Sequence, residues 1–99
     1  MELTTKQLNY LKLKAQELKP VVMIGKNGIT ENVINEIKSS IEHHELIKVK
    51  AHVEDRTQKE ELANYLANAS ESTVVQYLGN NITLFKKAKK NSKFSLPKE

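Results

Sequence analysis

Gly25-Lys26-Asn27-Gly28 sets two of the chain's three glycines on either side of a lysine and an asparagine, a spacing suited to holding an anion. Glycine tolerates positive φ and puts no side chain between the backbone and a ligand. Consecutive N–H groups can therefore converge on negative charge, and Lys26 adds a full positive charge. Lys48 and Lys50, two apart, share one side of any strand and could lie along a phosphate backbone. Arg56 offers a planar fork that matches phosphate, or a carboxylate such as Glu54 or Glu60. Near the C-terminus Lys86, Lys87, Lys89, Lys90 and Lys93 form a cluster able to displace counterions from a polyanion. Each feature also has an ordinary explanation: a glycine that only turns strand into helix, lysines kept for solubility and to block edge pairing, an arginine paired with a neighbouring acid.

Other chemistries lack their parts. The chain has no cysteine, which removes disulfides and thiolate metal sites. His43 and His44 are adjacent, so on a helix they point about 100° apart and do not chelate one metal in the i, i+4 manner. Ser39, Ser40, Ser70 and Ser72 lie in no nucleophile-elbow pattern, and no pair of acids has a context for acid-base work. The longer phosphate-binding motif that ends in Gly-Lys-Ser/Thr is missing, as is the third glycine of a dinucleotide site. The expectation is a protein with no enzyme activity, cofactor or metal. Only five aromatic residues of the Phe, Trp and Tyr type occur, and Tyr10, Tyr65 and Phe85 are assigned to the core. No pair forms a base-stacking platform, so backbone and shape recognition is expected over sequence readout.

The elements that must place these residues follow from periodicity. Leu8, Leu11, Ala15 and Leu18 recur at three- and four-residue steps and predict a helix capped by Thr4 or Thr5 and limited by Pro20. Val21-Val22-Met23-Ile24, bounded by Pro20 and Gly25, suits a short strand. Thr30 and Glu31 open a second helix with Val33, Ile34, Ile37 and Ile41 on one face, ending near His43. In residues 45–55 Ile47, Val49, Ala51 and Val53 point one way, and Lys48, Lys50 and His52 the other, toward a wet and basic face. A third helix is expected over 56–69 with Leu62, Tyr65, Leu66 and Ala69 inward, then strands over 73–78 and 82–86 joined as a hairpin by Gly79-Asn80-Asn81. The order α-β-α-β-α-β-β predicts an α/β two-layer sandwich, a four-stranded mixed sheet with three helices on one face.

Ninety-nine residues suit one domain, read as residues 1–86 followed by a basic tail over 87–99 that is extended or mobile. The formal net charge is +4, and six of the sixteen Lys and Arg residues fall between Lys86 and Lys98 while residues 31–61 hold eight of the twelve acids, so the positive field is local and favours a polyanionic partner. No apolar stretch approaches the ~20 residues of a membrane span or resembles a signal peptide, so a cytoplasmic monomer without membrane contact is expected.

A Gly-x-x-Gly loop that opens a helix is the arrangement by which K-homology domains clamp a nucleic-acid backbone. More specifically, LKPVVMIGKNGIT (18–30), HHELIKVK (43–50), the Glu-Asp-Arg of 54–56 and the SLPK of 95–98 resemble the YhbY-type single CRM domain, over nearly the whole chain. The resemblance implies a fold similar to the C-terminal domain of translation initiation factor three. It also implies RNA contact through Gly25, Lys26, Asn27 and Gly28 and neighbouring basic residues. Small bacterial members associate with large ribosomal subunit precursors, so ribosomal RNA is the expected partner. The competing expectation is an adaptor that docks to a ribosomal protein or assembly factor by its helical face or sheet edge.

Overall fold

The computed structural model describes residues 2–25, 28–88, 92 and 94–97. Thr4 caps α1 (Thr5–Ala15) through a reciprocal box: its side chain accepts from the Gln7 N–H, and the Gln7 side chain accepts from the Thr4 N–H. The helix stops at Ala15, short of the expected limit at Pro20, with Leu18 held by a bond from its N–H to the Ala15 carbonyl at 3.0 Å. β1 (Val22–Ile24), α2 (Glu31–His44), β2 (Leu46–Ala51), α3 (Arg56–Ser70), β3 (Thr73–Leu78) and β4 (Asn81–Phe85) follow in the predicted order. Thr30 caps α2 and Asp55 caps α3, each accepting a backbone N–H of the first turn. None of these helices is long and apolar enough to cross a membrane.

The four strands form one mixed sheet in the order β1-β2-β4-β3. β1 runs parallel to β2, and β4 is antiparallel to both β2 and β3. The α/β class and the mixed sheet are as expected. Gly79, with φ +60, makes the turn between β3 and β4.

The placement of all three helices on one face is corrected by the structure. Ile47 faces Leu84 and Val49 faces Ile82, and these side chains join Val22, Ile37, Ile41, Ala63 and Leu66 in a core under α2 and α3. The neighbouring pair, Leu46 and Phe85, points through the sheet to the other side, where it joins Leu11, Ala15 and Val75 in a second core under α1. α1 accordingly packs against β2 and β3 on the face assigned to solvent. The pleat points the consecutive Val74 and Val75 into different cores, and a register shift between Val74 and Gln76 leaves Val75 as the extra residue of a bulge, after which Tyr77 faces the first core again. The molecule is thus three-layered at the end where α1 sits. The sequence reading missed this because the alternation in β2 is interrupted only at Leu46.

Two further expectations change. Tyr65 is 53% exposed, and Ala63, Leu66, Ala67 and Ser70 form the inner stripe of α3 instead. The tail is not simply extended: Phe94 stacks edge-on to Phe85 with ring centres 5.9 Å apart, and Leu96 packs on the same second core.

Candidate nucleic-acid interface

β1 and β2 are parallel neighbours, so the segments that leave them, 25–30 and 52–55, emerge at the same edge of the sheet and run straight into the amino ends of α2 and α3. Two helix dipoles therefore present their positive ends at one place. Gly28 has φ +69, where a Cβ would be strained, and its N–H donates to the Gly25 carbonyl at 3.0 Å. That bond spends the Gly28 amide inside the protein, so the expected run of amides converging on an anion is reduced by one. What Gly25 and Gly28 retain is bareness: a Cβ at either would meet no atom within 4 Å, and the backbone there stands open to close approach. Lys26 and Asn27 lie outside the described residues.

Beside the glycines is an open cleft of about 580 Å³. Ile24 and Ala51, at the carboxyl ends of the parallel strands, line it with Ile29, Val53 and Leu62. Among the described residues, His52 and Gln58 are the polar side chains in its lining. The His52 imidazole is largely exposed, with Nε2 at 3.8 Å from Glu54. Sequence reading had placed Val53 in a strand and Leu62 in the core and saw no cavity. The visible signal was a pair of apolar residues, Ile29 and Val53, next to loop-forming segments that have no need of them.

Lys50 is exposed and lies between Met23 and Asn81 in the sheet, one pair before Ile24 and Ala51. Lys48, opposite Thr83, is half-buried on the same face, the side on which α1 packs. Met23 and Leu78, each about 70% exposed, flank the Lys50–Asn81 pair, so this stretch of sheet is apolar at its rims as well as basic. Arg56 begins α3 at the same end of the molecule. Its Nε is 3.9 Å from Glu60, whose carboxylate also accepts the Tyr77 hydroxyl at 2.7 Å. The hydrogen bond to Glu60 raises the Tyr77 pKa above its ordinary value, with Arg56 opposing. Because the Arg56 side chain is 85% exposed, its pairing is weak and readily exchanged for phosphate.

The structure separates Lys86 and Lys87 from this group. Lys86 follows Phe85, which pairs with Leu46 at the start of β2, whereas the glycines follow Ile24, which pairs with Ala51 at its end. That places them roughly 17 Å apart along the strands. Lys86 is also engaged: its Nζ donates to Glu42 and lies 3.9 Å from Glu71, tying strand β4 to the ends of α2 and α3. Lys87 is exposed at this far end. Lys89 and Lys90 lie outside the described residues. Among the described residues no group of three or more His, Asp or Glu side chains is placed to hold a metal.

Residues 3–86 match the CRS1 / YhbY (CRM) domain. A Haemophilus influenzae protein named RNA-binding protein is 40% identical over 97 residues, covering 98% of this chain and 97% of its own. The Bacillus subtilis protein YqeI, named a probable RNA-binding protein, is 39% identical, covering 96% of this chain and 99% of its own. A solution structure from Staphylococcus aureus, presented as a hypothetical protein and candidate RNA binder, is similar with a TM-score of 0.85 and 40% identity, over 97% of this chain and 100% of that one.

Proposed function

The chain belongs to the CRS1 / YhbY (CRM) domain family, and from that premise we propose that it is a noncatalytic RNA-binding protein of the cytoplasm that associates with large ribosomal subunit precursors and assists their assembly. RNA binding is supported by the domain and by the names its relatives carry. The contact is the Gly25–Gly28 segment at the amino end of α2, with Lys48, Lys50 and Arg56 alongside, Lys87 adding nonspecific attraction from the far end, and Lys89 and Lys90 contributing charge as residues of the basic tail. The observation that carries this reading is that bare glycine backbone, two helix amino ends and the exposed Arg56 lie together at one end of the sheet, with the exposed Lys50 at the same end on the opposite face. Phosphates bound there gain from the dipoles and the cations together.

Replacing Lys26 and Asn27 together by Asp reverses the charge of the segment and is expected to abolish most RNA affinity while circular dichroism stays unchanged. Unchanged affinity with an intact spectrum rejects the loop as the contact. Crosslinking in cells followed by sequencing of the attached RNA is expected to recover large-subunit ribosomal RNA. The apolar rims at Met23 and Leu78 favour a second reading, the adaptor. A pull-down with and without nuclease separates the two, since partners held through RNA are lost on digestion.

A further inference from the structure

The cleft beside the glycines has a chemistry that the phosphate contact leaves unused. Among the described residues its lining combines Ile24, Ile29, Val53 and Leu62 with bare glycine backbone and carries no Lys, Arg, Asp or Glu, a surface that suits a flat neutral ring better than a phosphate. We propose that it receives one unpaired nucleobase of the RNA whose backbone crosses Gly25–Gly28, an inference that rests on the RNA-binding function above.

Size, adjacency and polarity all bear on the occupant. A volume of about 580 Å³ falls in the range that holds small organic ligands and leaves room for a purine with part of its ribose. Gly25 and Gly28 line the cleft and carry no side chain, so a strand held at the glycines projects the attached base into the cleft rather than past it. The exposed cations Lys50 and Arg56, at the same end, suit the flanking phosphates. Gln58 offers both a donor and an acceptor to the edge of a base, and the His52 ring offers a flat surface. Backbone and shape recognition, expected because no pair of aromatics forms a stacking platform, is on this proposal joined by a single base contact. Branched aliphatic walls can sandwich a single base where a sheet-wide aromatic platform is lacking.

Methyl-labelled protein titrated with a short single-stranded RNA of mixed sequence, and with the same strand annealed to its complement, tests this. The methyl resonances of Ile24, Ile29, Val53 and Leu62 are expected to shift with the single strand and stay still with the duplex, while the amides of Gly25 and Gly28 respond to both. Gln58 is exposed, so Gln58→Ala should fold normally. It is expected to lower single-strand affinity by roughly two- to tenfold and leave duplex affinity unchanged. Silent methyls with responsive glycine amides would overturn the base site and leave RNA binding standing. Silence of both would overturn the RNA-binding reading itself, and the base site with it. Methyl shifts that track protein concentration without RNA would seat a second copy of the chain in the cleft and overturn the proposal.

Discussion

Gly25 and Gly28 look equivalent as letters, yet they serve different ends. Gly28 sits at φ +69, so Gly28→Ala should cost about 1–2 kcal/mol of stability, seen as a lowered urea midpoint. Gly25 has no such positive φ and faces open space. Gly25→Ala is therefore expected to leave the midpoint in place and weaken RNA binding, because the added methyl stands where the ligand approaches. The lysines divide in the same way. Lys50→Ala should reduce the slope of log K against log salt by about 0.7–0.9, the loss of one phosphate contact. Lys86→Ala should leave that slope unchanged, since Glu42 and Glu71 already balance its charge, and should cost less than about 1 kcal/mol of stability. A list of lysines does not distinguish these roles. The difference is made by acids from α2 and from the end of α3, brought to Lys86 only by folding.

Elements are set by local signals, and local signals are what a sequence displays. The caps at Thr4 and Thr30, the turn at Gly79 and the periodicity of α2 were all legible and all stand where they were expected. Facing was harder to read. Val22, Met23 and Ile24 look like a uniformly buried run, but Met23 is 70% exposed because none of the described helices covers its side of β1. Tyr65 was assigned inward by helical spacing, yet the small side chains Ala63 and Ala67 form the stripe and let α3 approach the sheet closely. Of the candidate interface, the glycine segment and Lys50 could be found by type and spacing. The cleft could not, because its walls come from residues more than thirty positions apart in the chain, such as Ile29 and Leu62. At this scale Thr30→Ala should lose the bond to the Val33 N–H and destabilise the protein by about 1 kcal/mol in chemical denaturation. It should also weaken RNA binding modestly by fraying the amino end of α2 next to the loop.

At the scale of the whole molecule the sheet carries two unequal cores. The larger, under α2 and α3, draws on the middle of the chain. The smaller draws on both ends: Leu3, Leu8 and Leu11 from the start, Phe94 and Leu96 from the finish, with the Gln7 side chain donating to the Pro97 carbonyl at 3.0 Å. The packing role of the tail is thus separable from the contact proposed for its lysines. Phe94→Ala should lower stability by about 1–3 kcal/mol, less than for a fully enclosed phenylalanine, with little change in salt dependence. Replacing Lys89 and Lys90 by Ser should do the reverse, flattening the salt dependence without moving the thermal midpoint.

The joining of both ends in one core also bears on how the protein is made. Synthesis runs toward the carboxyl end, so α1 emerges ahead of Phe94 and Leu96 and lacks its full seat until they have followed it out. The middle of the chain can settle beforehand. In that interval the nascent protein carries a greasy helix with nowhere complete to rest, and Phe94 and Leu96 are the residues that release it from that wait.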